Sequence, residues 1–495
     1  MYPLTDANNP ILYEDGDEDE AGQASTALAP IEETSPLGYN VNFVNATLVN
    51  TSAIVGMGIF STPSFILRSV GSVGMLIALY LFVPLITLAG LMVYIELTSM
   101  CGHKRSGAEV VYLEEAYPKP RFLLPTAFAL ITALLSHAGV SSTVFAKYVL
   151  DGYNIEATPS RQRSIAIAMV TVAVWVCLFS NKWALRINGV TAFFKIGCLI
   201  LISATGLACL LGWTSVPSSG NLKHPFDGSL YEANPLATSI VKVLYNFVEE
   251  FINANEVLGA IFLRKVYGDA VATKVFPIFI GISTFGGIVS VTLYYGRMLR
   301  EAGRQGMLPF ATFWSRVGRF KTPYGPVLLK WGLAVLLIVI TPAKDTVVFL
   351  IDLASYPALV FSLLIGCGVW VLRRRRQQLG LPEHAYRAPN FVVLIYVLQS
   401  VALLIMPWIP PKDGSKGGDV GFFYATYCIV AVLLLLLCGV YYWIRFRALP
   451  EWLGYELIEE TISLPGGVKV MALKKVYKDN SEGQEEPLLQ GERGD

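Results

Sequence analysis

The first apolar segment carries the residues whose types and spacing point most clearly to chemistry. Gly56 and Gly58 stand one residue apart, and Pro63 follows five residues after the second glycine. Glycine weakens a helix and proline removes one of its hydrogen bonds, so this spacing predicts an interrupted helix. In a membrane, such an interruption exposes amide N–H groups that suit a carboxylate and carbonyl groups that suit an ammonium. A zwitterionic amino acid fits both ends, while close packing through small residues is the alternative explanation.

Two ionisable residues lie in other apolar stretches. Lys195 stands near the expected start of a stretch that begins at residue 196, and His137 lies midway along the stretch 122–146. A buried lysine is a plausible proton carrier, whereas one near a helix end can extend its ammonium to the membrane surface. His137 is either part of a site or a neutral imidazole bonded to a neighbouring helix. The residue types alone leave these alternatives open.

The stretch 236–262 is apolar in bulk but contains Lys242, Glu249, Glu250 and Glu256. Each charge costs about 2.5 to 3.5 kcal/mol at the centre of a membrane helix on insertion scales. We therefore expect that this stretch does not face lipid all round.

Composition and apolar runs define the class of protein. Of 495 residues, 54% are hydrophobic and 15% charged, against about 25% charged in soluble domains. A soluble enzyme, a disulfide scaffold and a nucleic-acid binder are excluded, and no phosphate loop or zinc-ligand spacing occurs. Because a spanning helix needs about 20 apolar residues, charge-free runs predict ten crossings. They are 34–67, 69–95, 122–146, 164–181, 196–222, 275–296, 331–343, 353–372, 388–411 and 420–444. The run 331–343 is short, but it becomes long enough if the Lys330 side chain extends to the membrane surface and the helix begins near Pro326.

Loop charges predict the orientation. With the amino terminus inside, the cytoplasmic loops hold 17 Lys and Arg and the opposite loops 7, provided that 236–262 counts as no net crossing. That stretch is therefore expected to be re-entrant or incomplete. Residues 1–40 hold nine acidic residues and no Lys or Arg, which indicates a disordered acidic cytoplasmic tail. The transmembrane domain is expected at 41–445 and a second cytoplasmic tail at 446–495.

Several motifs in order along the chain resemble the amino acid-polyamine-organocation transporter superfamily. Within it they resemble the L-type branch and fungal methionine-permease-like proteins, and the resemblance covers about residues 40–445. The motifs are Gly56-Met57-Gly58-Ile59-Phe60, Val93-Tyr94-Ile95-Glu96-Leu97, Lys104-Arg105-Ser106-Gly107-Ala108-Glu109, Tyr112-Leu113-Glu114-Glu115-Ala116-Tyr117, Gly303-Arg304-Gln305-Gly306-Met307-Leu308-Pro309 and Thr322-Pro323-Tyr324-Gly325-Pro326.

The resemblance implies an all-α inverted-repeat membrane fold with discontinuous first and sixth helices. By position it assigns the substrate carboxylate to the amides of Gly56, Met57, Gly58, Ile59 and Phe60. It assigns the ammonium to carbonyls near Ala53 and Ile54. Asn253 and Asn255 fall in the second half of the sixth helix, where they would bind substrate or the unwound backbone. Lys195 falls beside the first helix, where sodium-coupled relatives bind a cation, so a functional role in ion coupling is favoured, as proton carrier or as fixed charge.

The sequence departs from the family around the sixth helix. Phe247 to Ile252 replace the expected aromatic and small residues, and the similarity then jumps from about Gly259 to the segment before the eighth helix. The seventh helix is therefore expected to be missing, in agreement with the loop charges. This departure puts transport competence in question.

The favoured function is secondary active transport of neutral L-amino acids, plausibly methionine or other large apolar ones, by alternating access. No cofactor is expected, a co-transported proton is open, and no accessory subunit can be identified from the sequence. The plasma membrane is the expected location, with the vacuolar membrane as the alternative. The rivals are a non-transporting amino acid sensor or inactive variant, and a membrane enzyme using Glu249, Glu250 and His137.

Overall fold

The chain is described by a computed structural model whose helices follow the apolar runs. It describes residues 36–37, 42–55, 71–101, 107–135, 158–214, 223–231, 264–268, 271–340, 345–381, 384–410, 425–464 and 468–477, with isolated positions at 63–70, 142–156, 239–240 and 423. The first six helices are α1 Phe43–Ile54, α2 Val73–Met100, α3 Glu109–Ala116, α4 Leu123–Leu134, α5 Pro159–Phe179 and α6 Asn181–Leu210.

The second half begins with a short π-helical turn, Val271–Val275, that leads into α7. The remaining helices are α7 Phe276–Arg304, α8 Ala311–Ser315, α9 Tyr324–Ile340, α10 Asp345–Gln378, α11 Asn390–Ile405, α12 Thr426–Trp443 and α13 Leu449–Leu453. A 3₁₀ turn, Met406–Trp408, extends α11, and a π turn, Ile444–Ala448, joins α12 to α13.

Each of the ten predicted crossings contains a helix. In the described part of the chain, seven helices are long and apolar enough to cross a membrane, namely α2, α5, α6, α7, α10, α11 and α12 with its extension to Leu453. The apolar helices α4 and α9 are shorter. The protein is therefore a mostly helical, multi-pass integral membrane protein. The stretch 241–263, and with it the question of a re-entrant segment, lies outside the described residues.

Polar side chains begin several of these helices where the sequence offers a cap. The Asn42 side chain accepts from the Asn45 N–H, Ser72 accepts from Met75, and Ser180 accepts from Trp183. Each cap satisfies an N–H group that has no partner inside the helix. Ser180 is the single residue between α5 and α6. Helix α6 therefore begins at Asn181, fifteen residues before the predicted start of the crossing at residue 196.

Helix α7 forms the centre of the described bundle. Small and hydroxyl-bearing residues allow neighbouring helices to approach it closely, and they include Gly281, Ser283, Gly286, Gly287 and Ser290, all of them buried. It contacts α1, α4, α5, α6 and α9. The residues of α7 therefore decide how the end of the first helix is positioned.

A buried ion pair joins α2 to α10. Both Glu96 oxygens accept hydrogen bonds at 2.6 Å from Arg373, one from Nε and the other from Nη2. The same carboxylate also accepts from the Ala388 N–H at 2.8 Å and lies 3.1 Å from His384 Nε2. Glu96 has no exposed surface. Its polar contacts are structural, as expected for an acid at the end of the second span.

The carboxyl-terminal region contains an antiparallel β-hairpin, β1 Tyr455–Leu464 and β2 Val468–Tyr477. The hairpin contacts α7 and α8. The Met471 carbonyl oxygen lies 3.0 Å from the position that a Cβ atom on Gly306 would occupy. Arg121 also pairs with Glu459 at 2.6 Å. The all-α expectation thus holds for the membrane region, whereas the segment predicted as a tail includes a folded hairpin. The runs 455–464 and 468–477 flank a Pro-Gly-Gly sequence, which is typical of a β-hairpin.

Candidate functional site

Helix α1 ends at Ile54, two residues before Gly56 of the predicted interruption. Helix α1 has twelve residues, too few to span a bilayer, and Val55 leaves the helical conformation with φ −83° and ψ 79°. The Val55 carbonyl accepts from the Ser283 hydroxyl of α7 at 3.3 Å. The carbonyls of Ala53 and Ile54 accept no hydrogen bond from any described residue. Residues 56–62, with the predicted amides of Gly56 to Phe60, lie outside the described residues.

Lys195 is directed at the end of this helix. Its Nζ donates to the Ser52 carbonyl at 2.6 Å, and the residue is 1% exposed. Because α6 begins at Asn181, Lys195 stands in the middle of a 30-residue helix and not near its start. The alternative that the side chain extends to the membrane surface is therefore wrong, since the ammonium is buried between helices.

Helices α1, α6 and α7 meet closely around Ser52. Ser52 and Asn188 are fully buried, and the Ser290 hydroxyl donates to the Asn188 side-chain oxygen. A Cβ atom at Gly286 would overlap the Thr191 hydroxyl and would lie 3.0 Å from the Ser52 hydroxyl. We call this contact of Ser52, Thr191, Lys195 and Gly286 the three-helix junction. Only glycine at 286 permits it.

Replacing Gly286 with alanine is expected to destabilise the protein by about 1–3 kcal/mol, because overpacking forces the helices of the junction apart. The melting temperature of the detergent-purified protein, read by size-exclusion chromatography after heating, checks this. Gly197→Ala on α6 is the matched control, since its Cβ would meet no atom within 4 Å. Equal melting temperatures for the two variants would contradict the close approach at Gly286.

A second polar cluster surrounds Glu109 on α3. The Tyr294 hydroxyl of α7 donates to Glu109 Oε2 at 2.5 Å. Burial raises the pKa of the Glu109 carboxyl above its usual value, while hydrogen bonds from Tyr294, its own N–H and Tyr94 act in the opposite direction. The sequence analysis included Glu109 only as part of a motif. The only indication in the sequence was an acidic residue between the predicted crossings 69–95 and 122–146. Nothing in the sequence showed that Tyr294 lies beside it.

Other predicted site residues lie outside the described part of the chain, namely Asn253, Asn255 and His137. The described residues contain no group of three His, Cys, Asp or Glu side chains that could hold a metal ion.

Apolar membrane helices surround the end of α1, where the buried ammonium of Lys195 donates to the Ser52 carbonyl. The family model described as amino acid permease matches residues 41–248 and 235–434. The chain belongs to this family. The two matches overlap at 235–248, at the edge of the stretch from Phe247 where the sequence departs from the family.

Individual relatives are similar over most of their length. The high-affinity methionine permease of Saccharomyces cerevisiae is 26% identical over 86% of this chain and 82% of its own. The b(0,+)-type amino acid transporter 1 of Mus musculus is 24% identical over 90% of this chain and 96% of its own. The large neutral amino acids transporter small subunit 2 of Oryctolagus cuniculus is 24% identical over 82% of each chain. These relatives are permeases and transporters, which confirms the expectation that the chain is not an enzyme.

Proposed function

We propose that this amino acid permease moves neutral L-amino acids, methionine or other large apolar ones, across the plasma membrane by alternating access. The observation that carries the proposal is the end of α1, where Val55 leaves the helix and the carbonyls of Ala53 and Ile54 have no described donor. These carbonyls suit the substrate ammonium, and the following amides of Gly56 to Phe60 suit its carboxylate. The methionine permease and neutral amino acid transporter names of the relatives support the substrate class.

In this proposal, Lys195 provides the positive charge of the ion-coupling site. Its ammonium donates to the Ser52 carbonyl at 2.6 Å, one residue before the carbonyls assigned to the substrate. A positive charge at the carboxyl-terminal end of a helix is favourable, because the last carbonyls point toward it. Lys195 thus supplies a charge beside the substrate site, where a coupling cation would otherwise be needed, and Asn253 and Asn255 remain candidate substrate contacts from the sixth segment.

The function is tested by uptake of radiolabelled methionine into cells that lack their own methionine transport. We expect saturable uptake that an excess of unlabelled leucine or methionine inhibits and that lysine or glutamate does not. Uptake equal to that of vector-only cells, with the protein present in the plasma membrane, would contradict the proposal. Measurable methionine binding without uptake would favour the non-transporting sensor.

Replacing Gly58 with valine is expected to lower methionine uptake at least about tenfold, because a β-branched side chain disfavours the exposed amides that would bind the carboxylate. Gly332→Ala on α9, where an added Cβ meets no atom within 4 Å, is the control. The amount of each protein in the membrane is measured alongside uptake. Full uptake by the valine variant would reject the binding of the carboxylate by these backbone amides.

A further inference from the structure

The cluster around Glu109 has the composition of a proton-binding site rather than of an ion pair. Tyr294 on α7 and Tyr94 on α2 donate hydrogen bonds to the carboxyl. Tyr112 on α3 and Tyr396 on α11 lie close enough to interact with its charge. Among the described residues, no lysine, arginine or histidine pairs with Glu109. A described ion pair on α7 joins Glu301 to Arg304 at 3.2 Å, and the Glu301 side chain lies against Gly107.

The Glu109 cluster lies near the predicted cytoplasmic end of α7, because Tyr294 comes two residues before the end of the predicted crossing 275–296. Tyr294 is 39% exposed, although α7 is surrounded by helices α1, α4, α5, α6 and α9. Glu109 itself is half-buried. A carboxyl and a hydroxyl exposed to lipid would be costly, so the exposed part of Tyr294 near the predicted cytoplasmic face favours contact with water. The carboxyl can therefore exchange a proton with water.

The hydrogen bond from Tyr294 makes the protonation state of Glu109 matter to the bundle. A phenol that donates to an ionised carboxylate forms a charge-assisted bond, and its length of 2.5 Å is at the short end for such bonds. This bond joins α3 to α7, and α7 contacts both α1 and α6 at the three-helix junction. Adding a proton to the carboxylate removes the charge that strengthens the bond and so weakens the link between α3 and α7.

We propose that Glu109 is the proton-binding residue of the transport cycle. Its carboxylate takes one proton from hydronium to become a carboxylic acid and later returns the same proton to water at the predicted cytoplasmic face. Lys195 is then the fixed charge of the coupling site. This inference rests on the proposed function, because it assigns the coupling ion and its residue to the same transport process.

The test uses the full-length protein in proteoliposomes with two assays, counterflow of radiolabelled methionine and accumulation driven by a pH gradient. We expect Glu109→Gln to retain counterflow and to lose gradient-driven accumulation. Glu115→Gln, which removes a carboxyl about 120° away around the same helix, should retain both. Gradient-driven accumulation by Glu109→Gln at the level of the natural protein would overturn the assignment.

Tyr294→Phe gives a second readout. Removing the hydroxyl withdraws a hydrogen bond that favours the ionised carboxyl, so the midpoint of the pH dependence should move upward by about one pH unit. If Glu109→Gln loses counterflow as well, this shift supports the assignment and an unchanged midpoint overturns it. Counterflow without gradient-driven accumulation by the natural protein overturns the inference and leaves the proposed function intact. The absence of counterflow in the natural protein would instead contradict the proposed function.

Discussion

Replacing Lys195 with methionine is expected to lower methionine uptake by about 10- to 100-fold at every pH tested. A hydrogen bond from a charged donor contributes about 1.5–3 kcal/mol, and each 1.4 kcal/mol corresponds to about a factor of ten. The variant keeps the length of the side chain but leaves the buried Ser52 carbonyl without its 2.6 Å donor. Initial uptake rates between pH 5 and 8, normalised to protein in the membrane, measure the effect.

Lys182→Met is the matched control, because Lys182 is exposed on the same helix. We expect this variant to remain within about twofold of the natural protein, as surface substitutions usually do. Residual uptake by Lys195→Met should keep its pH midpoint, since Lys195 acts as a fixed charge. A shifted midpoint would instead make Lys195 the proton carrier, and unchanged uptake would remove the residue from the site.

Replacing Arg373 with methionine is expected to destabilise the protein by about 3–5 kcal/mol, the usual cost when a buried ion pair loses one partner. The carboxylate of Glu96, which is fully buried, would keep only the Ala388 N–H and His384 near it. The melting temperature of the detergent-purified protein should fall by about 5 °C or more.

A double variant separates the ion pair from general damage to this part of the fold. Glu96→Gln combined with Arg373→Met removes both charges, so we expect it to recover at least half of the lost melting temperature. Arg374→Met, at the exposed neighbouring position, should change the melting temperature little. A double variant less stable than Arg373→Met alone would show that the pair is not the source of the effect.

The sequence predicts the membrane helices well because lipid imposes a simple rule. A helix in hydrocarbon must be apolar over most of its length, so charge-free runs locate α2, α7 and α10 within several residues. The end of α1 near Val55 is also predictable, since glycines and proline act locally on the backbone. The apolar runs and the glycine and proline positions therefore account for the helices and the helix end that were predicted.

Contacts between distant segments could not be predicted in the same way. Charge counting began the fifth crossing at residue 196, whereas capping by Ser180 begins α6 at Asn181 and places Lys195 at its centre. The pairing of Glu109 with Tyr294 joins residues 185 positions apart, so no spacing rule reveals it. The β-hairpin was not predicted, although the runs on both sides of Pro-Gly-Gly are typical of one.

The departure at Phe247 to Ile252, with the jump in similarity after about Gly259, gives the sensor alternative its basis. The two matches to the family model, 41–248 and 235–434, overlap at 235–248, at the edge of this departure. A chain altered there can retain the end of α1, where substrate is proposed to bind, without completing the cycle. Binding and translocation must therefore be measured separately.

Counterflow of radiolabelled methionine in proteoliposomes containing the purified full-length protein tests transport most directly. Vesicles preloaded with unlabelled methionine should take up label above its external concentration and then lose it as the internal methionine is diluted. Isothermal titration of the same protein in detergent gives binding independently. Binding of methionine with counterflow no greater than that of protein-free vesicles would contradict the transport function.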